Sequence, residues 1–143
     1  MTRIERVLLI DDDTVTNMLH SRVIKRSGLV DRIEVATDGQ EALDILNRDI
    51  AAGGPLPELI FLDINMPVMS GFEFLEEYAK LDISVEEQLV IVMLSTTLLP
   101  ADHRRAEADP NVHSFCDKPL RLEKLIETIE AYYQKVEAGK PAA

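Results

Sequence analysis

The stretch that decides the fold comprises residues 58–71, which read Glu-Leu-Ile-Phe-Leu-Asp-Ile-Asn-Met-Pro-Val-Met-Ser-Gly. Residues 59–62 are apolar and lie between a proline-acid pair and an acid, a pattern that predicts a short strand buried on both faces. Asp63 would then stand at the carboxyl end of this strand, where open α/β sheets bind their ligands. The stretch therefore predicts a carboxylate held on a rigid strand tip at the edge of a sheet.

The residues after Asp63 predict a turn and then a helix. Pro67 restricts the residue before it and donates no backbone N–H, so a regular element cannot continue through this position. Ser70 and Glu73 have the spacing of a capping box, in which the two side chains satisfy free N–H groups at a helix start. The region is thus a complete unit of strand, turn and helix.

The same unit recurs along the chain. Four more stretches, at residues 7–10, 33–36, 89–94 and 112–116, predict strands, and residues at helical spacing follow each of them. Five alternations of strand and helix predict an α/β fold with a doubly wound, five-stranded parallel sheet that is covered by helices on both faces. We expect one domain over residues 1–137 and a disordered C-terminal tail over residues 138–143.

Apolar stripes predict the buried faces of the helices. The first helix has a stripe of Val15, Met18, Leu19 and Val23, and Gly28 is placed to end it. The last helix has a stripe of Leu122, Leu125, Ile126, Ile129 and Tyr133. Asp38 and Glu41 have capping-box spacing at the second helix. The fourth helix, at residues 101–108 after Pro100, has few large apolar residues, so we expect it to be the loosest.

Composition narrows the class of protein. The 143 residues fit one domain, and 26 acids against 15 bases give a net charge of −11, which argues against general nucleic-acid affinity. The single cysteine, Cys116, is expected to be a small buried apolar residue and fits a reducing compartment. No apolar run approaches the ~20 residues that span a bilayer, and the charged start lacks a signal-peptide core. We therefore expect a cytoplasmic protein that binds neither nucleic acid nor membrane.

Polar side chains follow four of the five predicted strands. They are Asp11 and Asp12, Asp63, Ser95 and Lys118. In a parallel sheet these strand ends share one edge, so the side chains are expected to be neighbours. Three carboxylates about 4 Å apart repel one another by roughly 4 kcal/mol a pair at an effective dielectric of 20, so one must protonate or a cation must bind.

Oxygen ligands in an open site suit Mg²⁺, with Mn²⁺ as an alternative. A metal ion, a lysine, a hydroxyl and a carboxylate nucleophile are the groups that phosphoryl transfer needs. The three histidines, His20, His103 and His113, are scattered along the chain, and we expect each to be a solvated or core residue rather than a ligand.

Four motifs, in this order and spacing, resemble the receiver domains of two-component response regulators, of the single-domain type that includes the chemotaxis regulator. They are Leu-Leu-Ile-Asp11-Asp12, Leu-Asp63-Ile-Asn-Met-Pro-Val-Met-Ser-Gly, Met-Leu-Ser95-Thr and Phe115-Cys-Asp-Lys118-Pro119. The resemblance covers residues 4–136. It implies a flavodoxin-like (βα)5 fold with strand order 2-1-3-4-5.

The resemblance implies that Asp63 accepts a phosphoryl group. It also implies the ligands of a Mg²⁺ ion, which are Asp11, Asp12, Asp63 and the backbone carbonyl of Asn65.

Other residues would bind the phosphoryl group or respond to it. Lys118 would pair with it. Ser95 would be the switch hydroxyl, with Thr96 or Thr97 as the alternative. Phe115 would be the switch aromatic that turns inward afterwards, although an aromatic side chain in a strand is also ordinary core.

The resemblance also implies partners. A sensor histidine kinase or a histidine phosphotransfer protein would donate the phosphoryl group, and a downstream protein would bind a face made of the fourth helix, fifth strand and fifth helix. Catalysis would be limited to the chain's own Mg²⁺-dependent phosphorylation and dephosphorylation, so no enzyme acting on a free substrate is expected. We expect a monomer or weak dimer without a DNA-binding or enzymatic output domain.

Two other functions fit parts of the sequence. Residues 11–15 also fit the Asp-x-Asp-x-Thr/Val pattern of haloacid-dehalogenase-like phosphatases, with Asp11 as nucleophile and Asp13 as general acid/base. Those enzymes need a later acidic pair at a strand tip, whereas Glu123 and Glu127 fall on a predicted helix. The second alternative is a receiver-fold scaffold that no longer takes a phosphoryl group.

Overall fold

The computed structural model describes residues 3–81, 83, 89–96 and 99–138. Within these residues strands and helices alternate. In chain order they are β1 (Ile4–Ile10), α1 (Thr14–Ser27), β2 (Val30–Ala36), α2 (Gly39–Ala51), β3 (Leu59–Asp63), α3 (Gly71–Tyr78), β4 (Val90–Ser95), α4 (Pro100–Ala108), β5 (Val112–Asp117) and α5 (Leu122–Ala138). Residue 138, which we placed in the tail, is the last residue of α5, and residues 139–143 lie outside the described residues, so the disordered tail stays a prediction.

The five strands form one parallel sheet in the order β2-β1-β3-β4-β5. This confirms the doubly wound, flavodoxin-like α/β fold. The register pairs Ile10 with Leu62 at the ends of β1 and β3, and Ser95 with Asp117 at the ends of β4 and β5. The residues that follow these pairs therefore emerge together at the carboxyl edge of the sheet.

Caps fix where two of the helices begin. The capping box at α3 is confirmed, since the Ser70 hydroxyl accepts from the Glu73 N–H and the Glu73 carboxylate accepts from the Ser70 N–H. At α2, Asp38 accepts from the Glu41 N–H at 2.7 Å. The Glu41 carboxylate accepts instead from the N–H of Thr37, one residue earlier than the motif predicts.

Two apolar clusters fill the two sides of the sheet. On one side, α2, α3 and α4 pack on the strands, with Phe74, Leu46 and Ala106 fully buried. On the other, α1 and α5 pack on the strands through residues such as Ile24, Leu125 and Ile129. None of the helices among the described residues is both long and apolar enough to cross a membrane.

Helix α1 differs from its prediction. Val15, Met18 and Leu19 are exposed, by 56%, 53% and 48% respectively. The buried residues of this helix are instead Asn17, His20 and Ile24. The prediction that the apolar stripe of α1 is buried was wrong. The side of α1 that faces the protein meets backbone groups of two loops, and these groups need hydrogen-bond partners.

Candidate functional site

The candidate site lies at the carboxyl edge of the sheet, where β1, β3 and β5 end. Lys118 follows β5, and its ammonium Nζ lies 2.6 Å from Asp11 Oδ2 and 3.0 Å from Asp63 Oδ1. The three side chains come from residues up to 107 positions apart in sequence. The structure thus brings together the acids and the lysine that the sequence predicted to be neighbours.

Local backbone geometry holds Asp11 in place. The Asp13 N–H donates to Asp11 Oδ1 at 2.9 Å, and the Asn17 side chain donates to the Asp11 carbonyl at 2.8 Å. Asp13 is the N-cap of α1, where its carboxylate accepts from the N–H groups of Val15 and Thr16. The pKa of Asp13 is lowered, first by the hydrogen bond from the Thr16 hydroxyl, so this third acid is occupied as a cap.

Asp63 is buried at the end of β3, and the loop after it folds back over its carboxylate. The Asn65 N–H points to Asp63 Oδ1 at 3.4 Å. Helix α3 starts so close to this strand end that a Cβ on Gly71 would lie 2.5 Å from the Asp63 carbonyl oxygen. Only a glycine allows this approach, which explains the Ser70-Gly71 pair that follows the loop.

Burial and charge set the ionisation of the two central groups. Burial raises the pKa of Asp63 above its ordinary value, and the hydrogen bond from Lys118 only partly opposes this. For Lys118, burial alone would lower the pKa, but hydrogen bonds to Asp11 and Asp63 outweigh burial and the pKa is raised. Lys118 is therefore a fixed positive charge between two acids, and Asp63 is a carboxylate whose charge is incompletely compensated.

The acids also meet the requirements of a divalent metal. Asp11, Asp12 and Asp63 each offer a carboxylate oxygen, and these oxygens lie within 4.8 Å of one another. Asp12 is exposed while the other two are buried, so the group opens to solvent on one side. Three acids against one lysine leave an excess of negative charge, and an all-oxygen donor set of this kind fits Mg²⁺ or Mn²⁺.

The predicted switch residues lie at the end of β4, directly after it, and on β5. Ser95 is fully buried at the end of β4, and its carbonyl accepts from the Lys118 N–H at 2.9 Å. Thr96 follows it and is exposed, whereas residue 97 lies outside the described residues. Phe115 on β5 packs partly buried against the core, with the ring of His103 edge-on at 4.1 Å between centroids.

Sequence reasoning missed two residues that support the site. Asn17 and His20 are buried on α1, and both hydrogen-bond to the backbone of loops that carry site residues. The available signal was their spacing, since positions three apart lie on one face of a helix. The apolar side chains between them drew the prediction to the opposite face.

Comparison with known proteins agrees with this geometry. The model of the response regulator receiver domain family matches residues 7–130. A probable methanogenesis regulatory protein, FilR2, from Methanothrix harundinacea is 34% identical over 87% of this chain and 78% of that protein. Two-component response regulator 24 from Arabidopsis thaliana is 27% identical over 83% of this chain and 77% of that protein.

Among solved structures, a two-component response regulator from Cytophaga hutchinsonii superposes with a TM-score of 0.83. It is 34% identical and covers 95% of this chain and 98% of that one. The family match spans most of the chain and includes every strand end that carries a site residue. The chain therefore belongs to the response regulator receiver domain family.

Proposed function

We propose that this protein is a phosphorelay response regulator that accepts a phosphoryl group on Asp63. The observation that carries the proposal is the pair of contacts from Lys118 to Asp11 and Asp63 inside a group of three carboxylates. A histidine kinase or a histidine phosphotransfer protein is the expected donor. This deduction comes from the family to which the chain belongs.

The chemistry is a transfer between two nucleophiles. A carboxylate oxygen of Asp63 attacks the phosphorus of a phosphohistidine, the O–P bond forms, and the N–P bond breaks with its electron pair returning to the imidazole. Lys118 already contacts Asp63 Oδ1 and offers its ammonium to the oxygens of the arriving group. Because Asp63 is buried, bulk water has little access to its carboxylate. Transfer of the phosphoryl group to Asp63 is therefore favoured over its hydrolysis by water.

Asp11, Asp12 and Asp63, with the backbone carbonyl of Asn65, are the residues that would hold Mg²⁺. The bound ion supplies positive charge that offsets the charge of the phosphoryl oxygens. The chain's own part is to hold the three acids close together, and Lys118 contacts two of them, Asp11 and Asp63, from one side.

The response must come from several contacts. Moving an equilibrium from 1:99 to 99:1 takes about 5.5 kcal/mol, and one charge-assisted hydrogen bond contributes roughly 1.5–3 kcal/mol. The Ser95 hydroxyl alone falls short, so we assign the switch to Ser95 or Thr96 together with Lys118 and backbone N–H groups. We assign to Phe115, which is partly buried and packs against His103 of α4, the coupling of this change to the proposed face for a downstream protein, made of α4, β5 and α5.

The test is labelling of the purified chain with acetyl phosphate and Mg²⁺, read by intact-mass and peptide mass spectrometry. We expect one phosphoryl group on Asp63, none in an Asp63→Asn variant and none after chelation of the metal. An Asp38→Asn variant is the matched control, because Asp38 caps α2 outside the site and asparagine caps as well as aspartate. Labelling that persists in Asp63→Asn overturns the assignment.

Assays on the same purified chain distinguish the two alternative functions, a phosphatase and a scaffold that takes no phosphoryl group. A haloacid-dehalogenase-like phosphatase would turn over p-nitrophenyl phosphate many times and lose that activity in Asp11→Asn. The cap at Asp13 argues against it, since its lowered pKa is the wrong direction for a general acid. A scaffold that takes no phosphoryl group would stay unlabelled at all donor concentrations.

The responding face has its own measurement. Amide chemical shifts should change in α4, β5 and α5 when beryllofluoride and Mg²⁺ are added, and these changes should be lost in Asp63→Asn. Shift changes confined to the site loops would contradict the proposed face.

A further inference from the structure

The turn that carries Lys118 is held from both sides. On one side, the Lys118 N–H donates to the carbonyl of Ser95 at the end of β4. On the other, two residues later, the Leu120 N–H donates to Nε2 of His20 at 3.1 Å. These two bonds fix the path of the backbone between β5 and α5 on either side of the lysine, and the second depends on a side chain of α1.

The side chain of His20 is enclosed where it meets this turn. Only 2% of its surface is exposed, and the Leu120 amide that it accepts from is also buried. A buried N–H without an acceptor is costly, so an apolar side chain at position 20 would fill the space but leave this amide unsatisfied. The imidazole therefore supplies an acceptor for the Leu120 N–H, which an apolar side chain that only fills the space would not supply.

We propose that His20 is a positioning residue for the phosphoryl-binding lysine: by holding the Leu120 amide, it fixes the turn after β5 so that Lys118 reaches both Asp11 and Asp63. The inference deepens the proposed function and rests on it. In this proposal His20 contacts neither Asp11 nor Asp63 and acts through the backbone of Leu120, two residues beyond Lys118.

The protonation of His20 agrees with this role. Accepting through Nε2 requires a neutral ring with its proton on Nδ1. Burial lowers the pKa of His20, and the charge of Lys118 lowers it further, while Asp11 opposes them. The ring is therefore neutral near neutral pH, and Nε2 can accept the hydrogen bond from the Leu120 N–H.

Two substitutions separate the acceptor from the packing. His20→Leu keeps the volume and removes the acceptor, whereas His20→Gln places an amide oxygen near the position of Nε2 and cannot become charged. We expect His20→Leu to label about ten- to hundredfold more slowly with acetyl phosphate, as for a reacting group misplaced by about 1 Å. His20→Gln should recover most of the wild-type rate.

A second measurement distinguishes positioning from general loosening. Lys118 is not a metal ligand, so Mg²⁺ affinity measured by calorimetry should not weaken in His20→Leu even though labelling slows. The matched control is Thr128→Val, which removes a buried hydroxyl that donates to the Lys124 carbonyl within α5. It should lower the melting temperature without slowing labelling. Equal slowing in Thr128→Val, or parallel loss of Mg²⁺ affinity in His20→Leu, overturns the proposal.

The wild-type protein gives a readout that needs no variant. At neutral pH, without metal, ¹⁵N spectra should show an unprotonated Nε2 on His20, and the Leu120 amide should be protected from hydrogen exchange. If His20→Leu does not fold, these spectra and the His20→Gln rate decide. A protonated Nε2, a freely exchanging Leu120 amide, or a folded His20→Gln that labels slowly each overturns the role of His20.

The two proposals fail in different ways. If the proposed function is wrong, the wild-type chain is not labelled on Asp63 at all. If only the role of His20 is wrong, the wild-type chain is labelled and His20→Leu is labelled at the same rate.

Discussion

Two groups of charges, each around a buried cation, lie at opposite ends of the same sheet, and they differ in how their charges are balanced. Near the amino end, Arg6 and Arg48 face Asp49 and Glu34, two cations against two acids. At the carboxyl end, Lys118 is the one cation that the described residues bring to a group of three acids. The central cations are almost equally buried, with 8% of the Arg6 side chain and 12% of the Lys118 side chain exposed.

In the amino-end group, both terminal nitrogens of the Arg6 guanidinium have partners. Arg6 lies 2.6 Å from a carboxylate oxygen of Glu34 and 2.6 Å from one of Asp49, and it also donates to the Pro55 carbonyl at 2.9 Å. It ties β1 to β2, α2 and the loop before β3. The carboxyl-end group has no such balance, because one ammonium cannot neutralise three carboxylates. Equally buried cations therefore belong to a balanced group at one end and to a group with an excess of negative charge at the other.

The largest expected effect comes from breaking the balanced group. Arg6→Met should cost about 3 kcal/mol of unfolding free energy, because it leaves Asp49 buried with a weaker partner. The matched variant is Arg48→Met, which touches the same two acids from a side chain that is 57% exposed and should cost under about 1 kcal/mol. Urea denaturation measures both. Equal costs would mean that burial does not distinguish the two arginines.

Adding Mg²⁺ should stabilise the unbalanced end alone. At a concentration about 100 times its dissociation constant, a ligand of the folded state adds about 2.7 kcal/mol. We expect this gain in the wild-type chain by thermal denaturation, and a much smaller one at the same concentration in Asp12→Asn. Arg6→Met should keep the full gain, since its group lies at the other end. A gain that vanishes in Arg6→Met would show that the two ends are coupled.

Removing one charge from the unbalanced end should make the metal-free protein more stable. Asp63→Asn keeps the shape of the side chain and relieves both burial of a charge and repulsion from Asp11, the two causes that raise the pKa of Asp63. We expect a gain of about 1–2 kcal/mol at neutral pH, less whatever the lost contact with Lys118 contributes. A destabilised Asp63→Asn would show that the lysine contact outweighs the repulsion.

The pH dependence of that gain has a definite sign. Because the pKa of Asp63 is raised in the folded protein, its contribution to stability is greatest below its unfolded-state pKa and is lost as pH rises through the folded-state pKa. The advantage of Asp63→Asn over wild type should therefore grow from about pH 4 towards about pH 7. Denaturation of both proteins over this range, without metal, measures it. A constant difference would mean that Asp63 titrates at its ordinary pKa.

The comparison also shows what the sequence could predict. The carboxyl-end group was predictable because its members follow predicted strands, and strand ends of a parallel sheet must meet. The amino-end group was not, because Arg6 looks like part of a charged start and its partners come from three other segments. Strand β1 begins at Ile4, three residues before the predicted strand, since Arg6 can be buried inside it once Asp49 and Glu34 are present.

Helices α1 and α5 pack on the same side of the sheet, and the sequence predicted their buried faces with different success. In α5 the predicted stripe was right for Leu125 and Ile129, which pack on the strands, although Leu122 and Ile126 of the same stripe are exposed. In α1 the stripe was wrong, because the loops at the carboxyl edge require polar partners, which an apolar periodicity cannot reveal. The pattern of apolar residues predicts contacts with strands better than contacts with loops.

The smallest expected effect concerns the backbone rather than charge. The described residues with left-handed φ are Gly28 and Gly53 on the amino side and Val68 in the loop after Asp63, with φ of 68°, 66° and 68°. A β-branched residue is strained in this region, and the side chain of Val68 is fully exposed, so no burial offsets the strain. Val68→Gly should therefore stabilise the protein by about 0.5 kcal/mol, after the entropy of glycine in the unfolded chain is subtracted. Val68→Ala, which keeps a Cβ but loses the branch, should fall between the two in urea denaturation. If Val68→Gly is instead less stable than wild type, the loop gains more from the stiffness of valine than it loses to strain, and the contrast between the two ends of the sheet would be confined to charge.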